Sequence, residues 1–148
     1  MSISTFPFRA LILGPSPYRV YLSLIRLTTW NKVILLTKNK EHPLKKERDI
    51  LLIDSVEDLP QRKNCLLIVD DFVPSPSFWD IWIRGRKQGL SVILGSRNYL
   101  SLPKIIRRNC THLSANEESW HHVAREYELD TEQFQHGFIE LLNFCPAD

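Results

Sequence analysis

The chain has 148 residues, of which 43% are hydrophobic and 24% charged, the length and composition of one compact domain with an ordinary globular core. Its longest apolar runs are about five residues against the ~20 that a membrane span requires, so nothing in it predicts a transmembrane helix. The opening MSISTFPFRA has neither a basic start nor a long apolar core, which predicts an intracellular chain with no secretory signal and no membrane partner.

In chain order, Arg9 to Leu13, Lys32 to Thr37, Ile50 to Ile53, Cys65 to Asp70 and Leu90 to Gly95 are short apolar, β-branched runs. Several are apolar at consecutive positions, the pattern of strands buried on both faces. Between them Val20 to Thr28, Ser55 to Leu59 and Phe78 to Gln88 predict helices or helical turns. Alternation of strand and helix implies an α/β layer fold with a mainly parallel sheet. Pro74-Ser75-Pro76-Ser77 is a loop ending in a helix cap. The last third of the chain changes character: Ser114-Ala115-Asn116 can cap a helix whose Trp120, Val123, Ala124 and Tyr127 fall at i, i+3, i+4 and i+7. Asp130 and Gln133 resemble a capping box ahead of a second stripe, Phe134, Phe138, Leu141 and Leu142. A C-terminal helical pair over about 116–144 is therefore expected, in a single domain spanning 1–148.

The net charge of +2 conceals segregation. Met1 to Lys40 carries six Lys/Arg and no acid, and Ile81 to Asn116 carries seven and no acid, whereas Glu117 to Asp148 has eight acids and one base. Such separation fits a positive surface facing a polyanion, or equally solvated faces that happen to segregate. Cys65, Cys110 and Cys145 are too widely spaced for a disulfide framework or a zinc site, and they read as buried structural thiols. The adjacent His121 and His122 point different ways on a helix and have no third ligand at metal spacing. No structural metal is expected.

Two stretches carry chemistry. Leu66-Leu67-Ile68-Val69-Asp70-Asp71 is an apolar strand ending in two carboxylates, one way of placing acids beside a magnesium ion and an attacking water, though acids also cap turns at strand ends. Farther on come Gly85-Arg86-Lys87-Gln88-Gly89, the strand ending Gly95-Ser96-Arg97-Asn98, and Leu102-Pro103-Lys104-Ile105-Ile106-Arg107-Arg108-Asn109. This order resembles the FtsK-HerA superfamily of P-loop ATPases. Within it the resemblance is to the poxvirus-type genome-packaging ATPases of large DNA viruses, virophages and Polinton-like elements, and more distantly to the Zot-type ATPases of filamentous phages. Those proteins run from a strand with paired acids through a basic GRHxG segment to a strand ending Thr-Gln-Asn and then LPxxIRxN.

The resemblance covers about Arg9 to Leu113 and implies a three-layer P-loop fold, ATP and magnesium as cofactors, and Asp70 with Asp71 as the magnesium and water-directing acids. It also places Gly14-Pro15-Ser16-Pro17-Tyr18-Arg19-Val20-Tyr21 on the phosphate loop GxxxxGK[ST]. In that loop glycines let backbone N–H groups wrap the phosphates, the lysine neutralises them and the hydroxyl binds magnesium. Gly14 matches the first glycine, but Arg19 replaces the second, Val20 the lysine and Tyr21 the Ser/Thr. No Gly-Lys pair occurs anywhere in the chain, so no shift of register recovers the motif. Arg97 stands where the family has its γ-phosphate-sensing glutamine, and Lys87 where it has histidine.

What remains suits binding better than turnover. Arg84, Arg86, Lys87, Arg107 and Arg108 are candidates for DNA phosphates, and Arg86 or Arg107 for an arginine finger acting on a neighbouring subunit. Trp79 and Trp82, three apart, suit packing more than base stacking. The resemblance implies three alternatives: a degenerate ATPase binding DNA or a packaging partner, an active packaging motor with an atypical loop, or a non-enzymatic interaction protein. Its partners would be DNA, capsid or packaging proteins, and copies of itself or an active homologue, in host cytoplasm or nucleus or with the virus.

Overall fold

The computed structural model describes residues 7–14, 17–47, 49–60, 62–70 and 75–132, together with the backbone of 139–140. Among the described residues seven strands form one sheet in the order β3-β2-β4-β5-β1-β6-β7. These are β1 (Arg9–Leu13), β2 (Lys32–Leu36), β3 (Ile50–Ile53), β4 (Cys65–Val69), β5 (Leu90–Ser96), β6 (His112–Ser114) and β7 (Ile139–Glu140). The first six run parallel, and β7 pairs antiparallel with β6. The consecutive apolar runs are the buried strands expected of them: every residue of β1 and β4, and Leu90 to Gly95 of β5, is buried.

Helices cover both faces. The connections from β1 to β2 and from β2 to β3 run one way across the sheet, and those from β3 to β4, β4 to β5 and β5 to β6 run the other way. Because parallel crossovers are right-handed, opposite directions must lie on opposite faces. Accordingly α1 (Tyr18–Ile25) and the 3₁₀ turn Pro43–Lys46 pack with Ala10, Ile12, Leu66, Ile68 and Ile93. On the other face α2 (Pro76–Arg84), α3 (Lys104–Arg107) and α4 (Glu117–Glu126) pack with Leu11, Leu67, Val92 and Leu113.

The local signals for these helices are satisfied as the sequence predicts. Ser75 accepts from the Phe78 N–H at 3.2 Å and Asn116 from the Ser119 N–H at 3.1 Å, each capping its helix. Cys65 and Cys110 are buried in the core, while Cys145 lies outside the described residues. One expectation needs correction. The first helix of the C-terminal pair is α4, but Ile139–Glu140, within the stretch assigned to the second, is a strand. Residues 133–138, with Gln133, Phe134 and Phe138, lie outside the described residues, as do Leu141 and Leu142. A strand forms at 139–140 because β6 presents an unpaired edge there, and pairing its backbone outweighs the helical spacing of apolar residues.

Candidate functional site

The chain leaves β1 at Gly14, whose φ of 140° is open to glycine and strained for other residues. Its N–H donates to the Ser96 carbonyl at 3.1 Å, which holds the start of the loop against the end of β5. Pro15 and Ser16 lie outside the described residues. Pro17 precedes α1 without a side-chain cap, and the first turn of the helix contains no acid. Arg19 is exposed, Val20 is half-buried, and Tyr21 is 1% exposed. Tyr21 and Leu24, one helical turn apart, form the face of α1 that packs on the sheet.

The buried Tyr21 hydroxyl donates to Asp70 Oδ1 at 3.1 Å. Asp70 follows directly on β4, and β5 lies between β4 and β1, so the phenol reaches the acid by passing over β5. It passes at Gly95, where a β-carbon would stand 1.8 Å from the hydroxyl oxygen. Only the absence of a side chain at this strand position lets the two groups meet.

The second carboxylate oxygen of Asp70 is also held. His42 Nε2 lies 2.5 Å from Oδ2, and His42 Nδ1 accepts the Leu44 N–H at 3.1 Å. With Nδ1 an acceptor, the ring proton is on Nε2 and points at the carboxylate, so a neutral imidazole suffices to donate. His42 is 6% exposed and Asp70 21% exposed. Sequence reasoning missed His42. Its one local signal is its place immediately before Pro43, where it caps a 3₁₀ turn.

The remaining candidates divide by position. Asp71 lies outside the described residues. Arg97 is exposed in the turn after β5, where Ser96 Oγ and Asn98 bond one another. Arg84, Arg86 and Lys87 lie where α2 and the following 3₁₀ turn run into the start of β5, and Arg107 and Arg108 lie just before β6. In a parallel sheet these are the amino ends of the strands, the end opposite Tyr21 and Asp70. None of the five can therefore serve the loop of its own chain.

Within that group the engagements differ. Arg84 is exposed and pairs with Asp80 at 3.4 Å, Arg86 Nε donates to the Pro7 carbonyl at 2.8 Å, and Lys87 is exposed. Arg107 is drawn inward: its guanidinium lies 3.5 Å from Glu126 of α4, both side chains being 17% exposed, and 5.3 Å from the Tyr99 ring centroid. Burial, followed by the charge of Glu126, pushes the Tyr99 phenol far above its ordinary range. The tryptophans also part company. Trp82 is fully buried and donates to the Ile106 carbonyl at 3.2 Å, whereas Trp79 is partly exposed.

A β1–loop–α1 unit, an acid closing β4, β5 inserted between the two strands, and helices on both faces define the P-loop NTPase class of α/β fold. No protein-family model matches the chain, and no curated protein matches its sequence. Among solved structures it is similar to the genome packaging NTPase B204 from Sulfolobus turreted icosahedral virus 2. In complex with sulfate that structure gives a TM-score of 0.65 at 11% identity, covering 93% of this chain and 92% of that one. In complex with ATP-gammaS it gives 0.61 at 9% identity, covering 95% and 96%, and with AMP 0.56 at 12% identity, covering 81% of each. At these identities the likeness carries the fold.

Proposed function

We propose that this chain is a degenerate packaging-type ATPase domain that binds DNA or a packaging partner without efficient ATP hydrolysis. The observation that carries the reading is the occupation of Asp70: Tyr21 donates to one carboxylate oxygen and His42 faces the other at 2.5 Å. In P-loop NTPases the strand-end acid and the loop hydroxyl hold the magnesium ion between them. Here a phenol stands in place of the short hydroxyl and bonds to the acid directly. A magnesium nucleotide would have to displace both partners of a largely buried carboxylate, so the residues at this position do not fit the ion. Val20 supplies no charge for the phosphates, and losing one such electrostatic contact costs on the order of 3 kcal/mol of transition-state stabilisation.

The viral packaging context rests on likeness to B204, and DNA binding on the exposed cations Arg84 and Lys87 with Arg108 at the same end of the sheet. Oligomers with itself or with an active homologue would bring these cations, and Arg86, to a neighbour's nucleotide or to DNA. The deciding experiment measures magnesium-ATP binding and turnover alongside duplex DNA binding at increasing salt. Weak or absent nucleotide binding with DNA affinity falling steeply in salt is expected. ATP turnover that Asp71→Asn abolishes would overturn the reading in favour of an active motor.

A further inference from the structure

On the other side of Asp70 from Tyr21 the carboxyl ends of β2, β3 and β4 surround a cavity of about 440 Å³, within the size range of small-ligand sites. It sits between β2, whose connection runs one way across the sheet, and β4, whose connection runs the other. That reversal is the place where open α/β sheets leave a crevice for ligands. Val69, Phe78, Leu36 and Val56 supply an apolar lining, and Val69 and Phe78 are almost fully buried beneath it. Among the described residues, Asp54, Glu57 and Asp70 line the same cavity with one cation, Lys38.

The three acids are not equivalent. Asp70 is held by Tyr21 and His42. The Glu57 carboxylate accepts from the Ser55 and Ser77 hydroxyls, which hold its pKa below the ordinary carboxylate range. Asp54 is exposed, and among the described residues the ion pairs are His42–Asp70, Arg84–Asp80 and Arg107–Glu126, none of which involves it or Lys38. The wall therefore has fixed negative charge at two points, an uncommitted carboxylate at a third, and an apolar body between them. An anionic ligand is disfavoured by this charge, and a purely apolar one would leave the carboxylates uncompensated.

We propose that this cavity binds a compact ammonium ion carrying an apolar body, with the cation at Asp54 and the hydrocarbon on the half-buried Leu36 and Val56. The assignment stands on the cavity and does not depend on whether the phosphate loop is degenerate. Lys38, on a long flexible stem, is the internal competitor for the same charge.

The test titrates phenethylamine, protonated at pH 7, and its neutral counterpart 2-phenylethanol into the full chain, following amide shifts by NMR. Saturable shifts at residues 36–39, 54–57 and 69–70 with the amine are expected, with the alcohol at least fivefold weaker. Asp54→Asn should weaken the amine about fivefold or more with the fold unchanged, and Lys38→Gln should strengthen it. A lysyl dipeptide binding better than the free amine would assign the cation to a protein partner, and the reverse to a small molecule, with the ammonium chemistry supported either way. Equal binding of amine and alcohol, no saturable shift with either, or an Asp54→Asn variant that binds as well as the parent would overturn the proposal. An ATP titration moving these same residues, and not the start of α1, would also overturn it. Failure of the amine leaves the nucleotide and DNA measurements of the preceding subsection unaffected, so the two readings fail separately.

Discussion

The Tyr21 hydroxyl lies where a side chain at position 95 would have to begin: an added β-carbon at Gly95 falls 1.8 Å from the oxygen and 3.0 Å from the ring carbon bearing it. Both residues are buried between α1 and the sheet, and the phenol belongs to a side chain wedged in the core, so neither can yield cheaply. Gly95→Ala is expected to lower unfolding free energy by about 2–3 kcal/mol in urea denaturation. Adding Tyr21→Phe should recover part of that loss by removing the oxygen in closest contact. An alanine variant as stable as the parent would mean that Tyr21 packs elsewhere.

Asp70 is the acceptor for two buried donors, and removing it takes that acceptor from both. Asp70→Ala is expected to cost about 2–4 kcal/mol, since a hydrogen bond to a charged group contributes about 1.5–3 kcal/mol. In a working NTPase the strand-end acid is chiefly a catalytic loss. Here the larger consequence should be a lower denaturation midpoint, with magnesium-ATP making no difference to either protein.

Reconstructing the loop separates the phosphate contacts from the acid. Arg19→Gly, Val20→Lys and Tyr21→Thr together restore the glycine, lysine and hydroxyl of the motif and release one oxygen of Asp70. The triple variant should bind magnesium-ATP measurably, seen as a nucleotide-dependent rise in Tm, although replacing the buried Tyr21 lowers its basal stability by about 3 kcal/mol. Adding His42→Ala should strengthen the nucleotide effect further by freeing the second oxygen. A triple variant with no nucleotide-dependent shift would show that the pocket has been lost beyond these three residues.

DNA binding should discriminate among the cations at the amino ends of the strands. Arg84→Ala and Lys87→Ala are each expected to reduce the slope of log affinity against log salt by about one, with a uniform loss across sequences. Arg107→Ala should leave that slope unchanged and instead lower stability by about 1–3 kcal/mol, because it strands Glu126 in a mostly buried pair. A salt slope that falls with Arg107→Ala would mean that the α3–α4 ion pair opens on DNA.

Alkaline pH should unfold the protein partly through Tyr99. Burial first, and then Glu126, raise the folded phenol pKa far above its unfolded value near 10. The folded state therefore keeps a proton that the unfolded state has lost. The stabilisation is complete below about pH 10 and declines as pH rises above it, by at most about 1.4 kcal/mol per pH unit. Tyr99→Phe should flatten the decline in unfolding free energy between pH 10 and 11.

The strands, their parallel pairing and the placing of Gly14 and Asp70 at strand ends were legible in the sequence, because burial on both faces leaves a continuous apolar run that needs no partner to be recognised. The helix caps at Ser75 and Asn116 were legible for the same reason, each being a bond within a few residues. The contact network around Asp70 was not. Tyr21, His42, Gly95 and Asp70 come from four separate segments, and no local pattern relates a histidine before a proline to an acid 28 residues later. Nor could composition tell that Arg107 turns inward to α4 while Arg84 remains in solvent. The short edge strand at 139–140 likewise depended on β6 being there to pair with. The sequence by itself determined that Arg19, Val20 and Tyr21 follow Gly14 after the first strand and that no Gly-Lys pair occurs in the chain. Only the tertiary structure decided that Tyr21 meets Asp70 across Gly95, because a hydrogen bond between distant residues is fixed by how the sheet brings them together.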